Sequence, residues 1–323
     1  MPVRPSIGKL FRSQWFYLLL VIITLSIVTT VANPRYLRPT NIGSILKHIS
    51  VLGLVATGAT VLIVSGNFDI SVGAVMGLSA CVMGVLILHD VPVVWTVLAG
   101  LGVAMLCALF VGGASILLRA PSFIVSLACI WIFQGMALAL TRGSIQTVQM
   151  KVGMPGETTI FGFFPVIFLI TLAGFLVMHF ILTYTRFGRR VYSIGSNPRA
   201  AYLSGISVRR NKLMFFALNG LFVGIAAALL LLRVGSAKPS TGSGYELTAI
   251  GAVIVGGAPI SGGKGKIVGT VFGVLLIGMI PNVMNMLHVD PYYQGVAFGL
   301  LILMALAVSV LSQKGQDLGK VSL

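Results

Sequence analysis

Chemistry needs titratable or ligating side chains held close together, and in these 323 residues they are few and far apart: Asp and Glu number six, His four. His48, His89, His179 and His288 are scattered with no paired spacing, so neither a metal site nor a catalytic base is expected of them. Cys81, Cys107 and Cys129 each lie inside an apolar run, away from any ligand partner, and read as small packing residues. The glycine-rich run Gly256–Gly265 ends in Gly263-Lys264 like a phosphate-binding loop. That loop would need glycine at 258, where Ala258 stands, and Ser or Thr after Lys264, where Gly265 stands. No nucleophile elbow or carboxylate dyad occurs. What is left is a set of polar groups placed in apolar sequence: Asn219, Glu246, Asn282, Asn285 and Gln294, with aromatic neighbours Phe123, Trp131, Tyr292 and Tyr293. Any one of these more often bonds helix to helix in lipid than it touches a solute. As a set, neutral amides with few acids suit the passage of an uncharged polyol better than that of ions, and weak sites suit a path that must release its cargo. Phe123, Asn219, Glu246, Asn282, Asn285 and Gln294 are therefore the candidate pathway residues.

The elements that must position these groups are membrane helices. Hydrophobic residues make up 57% of the chain, charged ones 9%, and the mean hydropathy is +1.03. Apolar runs of membrane length, at ~20 residues per crossing, predict about ten spans: 15–33, 49–66, 71–89, 92–118, 122–141, 162–184, 213–233, 246–257, 265–287 and 293–312. The fold class is thus an all-α polytopic membrane protein. The eighth span is too short for a straight crossing, and Gly251, Gly256, Gly257 and Pro259 interrupt it, so a broken or re-entrant segment is expected near 246–257. Trp15–Asn33 is expected to stay as an anchor, because no small-residue cleavage site precedes a polar domain. A net charge of +16 would suggest nucleic acid in a soluble protein. Here the basic residues sit in the gaps between spans, which excludes that reading. Fifteen of the 22 Lys and Arg residues fall on the side of the N-terminus and seven on the other. Both termini are thereby predicted to be cytoplasmic. Residues 1–14 form an N-terminal segment, 15–312 one transmembrane domain and 313–323 a tail.

Most of the charge asymmetry comes from one loop, 185–212. Within it Asn197 and Pro198 have the types that begin a helix, and Gly205 the type that ends one, which predicts a short capped helix from Arg199 to Ser204. A basic connector lying at lipid headgroups is the commoner meaning of such a loop. Exposure of Ala200 and Ala201 would favour docking into a groove of a partner. Between the second and third spans lies Ser65-Gly66-Asn67-Phe68-Asp69-Ile70-Ser71-Val72-Gly73. Asp69 is costly to bury and is expected to cap the third span, where Ser71 and free backbone N–H groups can satisfy it.

These two stretches resemble a known family. Arg199-Ala200-Ala201-x-x-x-Gly205 is similar to the EAA loop of ATP-binding-cassette (ABC) import permeases, with Arg in place of Glu. Gly195 to Val208 is similar to the version found in permeases for ribose, galactose, xylose and arabinose. The run 65–73 resembles that family's SGGIDLSVG signature, with Asn67 in place of a glycine. Pro121 to Leu127, Gly244 to Ile250, Gly256 to Gly265 and Asn282 to Gln294 extend the likeness, while Gln134-Gly135 departs from the family's usual Arg-Gly. The resemblance implies an ABC importer permease fold in the cytoplasmic (inner) membrane and a pore for a small sugar. Its implied partners are a separate ATPase that binds the ATP, a periplasmic or extracellular sugar-binding protein, and a second permease copy or paralogue. It places the ATPase contact on Asn197, Pro198, Arg199, Ala200, Ala201, Gly205 and Ile206, and the signature turn on Gly66, Asp69, Ser71 and Gly73. Two competing readings stay open: a permease for branched-chain amino acids, and an ion-coupled transporter using Asp69 and Glu246.

Overall fold

The computed structural model describes residues 14–304 apart from residue 302. In chain order the helices are α1 (Gln14–Ala32), α2 (Pro39–Val64), α3 (Val72–Leu88), α4 (Val93–Leu117), α5 (Ser122–Thr141) and α6 (Val166–Tyr184). They continue with α7 (Arg186–Ser196), α8 (Pro198–Leu203), α9 (Val208–Val234), α10 (Tyr245–Val255) and α11 (Ile267–Met286). Among the described residues seven helices are long and apolar enough to cross a membrane: α1, α2, α4, α5, α6, α9 and α11. A further helical stretch begins at Gln294; the part of the predicted span 293–312 from 305 on, like residues 1–13 and the tail 313–323, lies outside the described residues.

The helices fall close to the predicted spans, with instructive differences. α2 starts at Pro39, ten residues before the predicted 49, because Pro at its first turn sets a helical φ and the polar residues Thr40, Asn41, Ser44 and Lys47 continue the same helix beyond the apolar run. α6 starts at Val166 and not 162, because Thr159–Ile160 pairs antiparallel with Phe164–Pro165 in a small hairpin. α9 begins at Val208, inside the basic loop.

α2 is the central post. Of its most apolar window 89% is buried, against 6% for α1, which lies at the periphery. From Ile49 to Val64 it is apolar or small on every side and packs against α6, α9, α10 and α11. Two short helices share the interior with it. α3 has 17 residues and α10 has 11, which at 1.5 Å per residue makes α10 only about 16 Å long. The short segment predicted near 246–257 is thus α10, whose continuation toward α9 is not helical.

Opposite the basic loop, segment 142–165 folds over the bundle. Gln146–Thr147 pairs antiparallel with Ser236–Ala237 just after α9. Lys151 holds Asp90 at 2.6 Å, and Glu157 bridges Lys47 of α2 and Arg233 of α9, the latter at 3.5 Å.

Candidate functional site

The basic loop is two helices, where one was expected. α7 is amphipathic: Val191 and Ile194 are buried with Gly188, while Arg186, Arg189 and Arg190 are exposed. Thr185 caps it, its hydroxyl oxygen accepting the Gly188 N–H at 3.3 Å. The apolar spacing Phe187, Val191, Ile194 is the sequence signal for it.

α8 has the caps its sequence calls for. The Asn197 side chain accepts the Ala200 N–H at 3.0 Å and Pro198 occupies the first turn. At the other end Gly205 has φ +80°, the Gly205 N–H donates to the Tyr202 carbonyl at 2.9 Å, and the Ile206 N–H donates to the Ala201 carbonyl at 3.0 Å. This pair of bonds is a Schellman motif. Ala200 is exposed but Ala201 is buried, which corrects the expectation that both face out. The outward surface is instead Arg199, Tyr202 and Leu203, the last two 69% and 78% exposed.

The signature turn is built the same way. Gly66 has φ +75°, its N–H donates to the Ile63 carbonyl at 2.9 Å, and the Asn67 N–H donates to the Leu62 carbonyl at 2.8 Å. α2 therefore also ends in a Schellman motif. The chain then passes Ser122 and Ser126 of α5, whose hydroxyls accept the Phe68 and Ile70 N–H groups at 3.0 and 3.1 Å. Asp69 does not cap α3: the cap position is Ser71, which makes no side-chain cap bond. Asp69 sits two residues earlier and is buried. One carboxylate oxygen accepts the Ser71 N–H at 2.9 Å and the Ser71 hydroxyl at 2.5 Å; the other accepts from Asn219 of α9 at 3.3 Å. It pins the turn to α9 because a buried carboxylate needs donors on both oxygens.

Three segments far apart in sequence close on one another here. Gly195, near the end of α7, lies so close to the Val64 carbonyl at the end of α2 that a side chain would collide with it. The Val64 carbonyl in turn accepts the Gly263 N–H at 2.8 Å, from the glycine-rich run between α10 and α11. Tyr192 of α7 donates its hydroxyl to the Gly265 carbonyl at 2.8 Å. Burial raises the Tyr192 pKa, so this hydroxyl stays a neutral donor. Lys266 reaches the ring of Trp15 at 5.2 Å and ties α1 to the same junction. The glycines of this run serve packing and turns: Gly262 and Gly263 both have positive φ.

The candidate pathway residues are not brought to one place. Asn219 is fully buried against Asp69 and Gly58. Asn282 exchanges paired amide bonds with Asn41 at 2.7 and 3.1 Å, and Gln294 donates to Asn285 at 3.3 Å, all at the end opposite the basic loop. Those contacts join α2 to α11 and α11 to the stretch that follows it, which is the helix-to-helix role that polar groups commonly take in lipid. Phe123 is exposed on the first turn of α5, and Trp131, Tyr292 and Tyr293 are exposed too. Glu246 stands on the first turn of α10, its side chain against Gly73 of the signature run. Among the described residues no group of three His, Cys, Asp or Glu could hold a metal ion.

The chain is thus a polytopic all-α membrane protein in which the amphipathic α7 meets the ends of the innermost helices through glycine contacts. Residues 41–306 match the family described as "Branched-chain amino acid transport system / permease component", and the chain belongs to that family. It is 38% identical over 284 residues to the ribose import permease protein RbsC of Bacillus subtilis (strain 168), covering 87% of this chain and 88% of that one. It is 32% identical over 312 residues to RbsC of Escherichia coli (strain K12), covering 93% and 96%. With the xylose transport system permease protein XylH of Haemophilus influenzae (strain ATCC 51907 / DSM 11121 / KW20 / Rd) it shares 29% over 365 aligned positions, covering 93% and 96%.

Proposed function

We propose that this chain is the membrane subunit through which a small sugar enters the cell, delivered by a separate binding protein and driven by a separate ATPase docked on α8. The observation that carries the reading is the junction of Gly195, Val64 and Gly263, which connects the exposed α8 surface to the ends of α2 and α10. A push on Tyr202 and Leu203 moves α7. Through the backbone contacts that motion reaches the signature turn, and through Asp69 and Asn219 it reaches α9. Coupling of this kind requires two discrete packings of the same helices, one open to each side. The sugar assignment is supported by relatives named for ribose and xylose import that cover most of the chain. The family's own description favours a branched-chain amino acid as the second reading.

On this proposal the protein lies in the cytoplasmic membrane, the basic end with both termini faces the cytoplasm, and a second permease copy or paralogue completes the pore. The chain itself holds no ATP and no cofactor. The test is uptake by proteoliposomes containing this chain, its ATPase and its binding protein. Labelled pentose should accumulate only with ATP, and collapse of ion gradients should leave the rate unchanged. Accumulation of leucine in place of pentose, or uptake driven by a gradient without ATP, would overturn the reading. Crosslinking with a nucleotide analogue should label the ATPase and leave Lys264 of this chain unlabelled. Alkaline phosphatase fused after Leu323 should be inactive.

A further inference from the structure

The stretch between α9 and α10 lies where lipid cannot accept it. After Ala237 the chain is no longer helical until Tyr245, and it descends along α3. Three glycines of α3 make the groove: Gly84 faces Gln146 and Ala237, Gly77 faces the Pro239 carbonyl, and Gly73 faces the Gly242 carbonyl and the Glu246 carboxylate. From Gly84 to Gly73 α3 drops about 16 Å at 1.5 Å per residue. Ala237, Pro239 and Gly242 make these contacts in turn, so the turns of residues 239–244 carry the chain inward along α3 over that same distance. α10 then covers the remaining distance to the basic end, again about 16 Å. Residues 240–246 therefore lie well inside a hydrocarbon layer ~30 Å thick.

At that depth the segment is not sealed. Pro239 and Gly242 are buried against α3, but Lys238, Ser240, Ser243 and Gly244 are exposed. Its turns are held internally, the Lys238 N–H bonding the Thr241 hydroxyl at 2.8 Å and the Thr241, Ser243 and Tyr245 N–H groups the Lys238, Ser240 and Gly242 carbonyls at 2.9, 3.1 and 3.2 Å, while the Ser240 and Ser243 hydroxyls stay exposed. Irregular backbone with exposed hydroxyls is not tolerated against lipid, and at membrane depth it occurs only inside protein or along a water-filled cavity. Glu246, one residue into α10, accepts the Gly244 N–H with both oxygens at 3.1 Å and has no ion pair among the described residues. Its remaining lone pairs are available to hydroxyl donors.

We propose that the open face of residues 238–244 is the water-exposed wall of the translocation path, and that Glu246 accepts hydrogen bonds there from the hydroxyls of a neutral polyol. The wall assignment stands on membrane depth and exposure alone; the hydroxyl contact rests on the sugar reading above.

The test uses the assembled complex in proteoliposomes, with Ser240→Cys and Ser243→Cys probed by a membrane-impermeant cationic methanethiosulfonate. Leu176→Cys on α6, an exposed apolar position mid-helix, is the lipid-facing control, and the parent with its three buried cysteines is the blank. Both Ser→Cys variants should react at least tenfold faster than Leu176→Cys, excess sugar should slow the reaction, and modification should stop uptake. Reactivity no greater than that of Leu176→Cys in both variants would overturn the wall. Glu246→Gln should raise the uptake KM for pentose about tenfold while the Ser240→Cys reaction rate stays the same. An unchanged KM would overturn the hydroxyl contact. A parent complex that carries no sugar would defeat the sugar reading while leaving these thiol reactivities intact, so the two failures are told apart.

Discussion

At the basic end, α2, α7 and the run after α10 meet through backbone: the Gly263 amide lies on the Val64 carbonyl, and Gly195 leaves that carbonyl no room for a side chain. At the opposite end, α2, α9 and the 142–165 segment also touch through backbone, Gly43 on the Phe163 carbonyl and Gly156 on Arg233, but they add to it the tips of Lys47, Arg233 and Glu157. Backbone packed on backbone has no rotamers to absorb a displacement, so a shift of α7 must move the end of α2. Long charged side chains can follow a moving partner or exchange it for water at little cost. The basic end is thus a stiff linkage, while the ionic trio at the other end is a soft clasp laid over its backbone contacts.

The difference predicts where substitution hurts most. Gly195→Val places three carbons against the Val64 carbonyl and the Gly263 amide, two backbone groups that cannot turn aside. It should cost about 3 kcal/mol, the upper part of the range for overpacking, and abolish uptake; thermal unfolding of the purified subunit and uptake assays measure the two effects. Uptake at the parental rate would mean the linkage is not stiff. Asn219→Ala removes the donor to one oxygen of buried Asp69, and a buried acceptor left without its donor costs about 1–3 kcal/mol. The net loss should fall near the lower figure, since the deletion also removes the Asn219 Oδ1, which is buried without a partner. Denaturant titration would show it. At Gly205 a Cβ meets no atom within 4 Å, so the cost of Gly205→Val is that of the left-handed backbone, about 1–2 kcal/mol and confined to α8. This variant should insert and fold normally but lose ATPase association and uptake together, read by pull-down beside transport. Normal expression with parental uptake would make α8 a mere connector.

Much of this architecture is legible in the sequence, and the reason lies in the type of signal. The spans were readable because hydropathy reports lipid exposure or all-round burial residue by residue, and the caps of α8 because Asn197, Pro198 and Gly205 act within one turn. α7 was hidden by its arginines: a window average registers charge, while the helix is set by Phe187, Val191 and Ile194 at helical spacing. The first ten residues of α2 were hidden by Thr40, Asn41 and Lys47, which are compatible with helix though not with lipid. Local pattern puts Asp69 at a cap, because its partner Asn219 lies 150 residues away and no local pattern encodes that pairing. The descent beside α3 has a sequence trace only in hindsight, as Gly73, Gly77 and Gly84 fall on the helix that must admit another backbone.

The smallest effect is expected at the clasp. Glu157 is 39% exposed and Lys47 15%, so the pair is partly screened by water, and Arg233 shares the same carboxylate. Glu157→Gln keeps the shape and removes the charge. The resulting loss should be about 0–1 kcal/mol, as for ion pairs open to solvent, small because water can take the place of the carboxylate around both cations. Salt sharpens the test. Raising ionic strength screens charges that touch solvent, so the parent should lose in high salt about what the variant has already lost, and the variant should hardly respond. Unfolding of the purified subunit at low and high salt measures this, and uptake by Glu157→Gln should stay within about twofold of the parent. A loss near 3 kcal/mol that persists in high salt would mean Glu157 is a buried, rigid tie like the glycine contacts at the basic end. The contrast between a stiff linkage and a soft clasp would then be false.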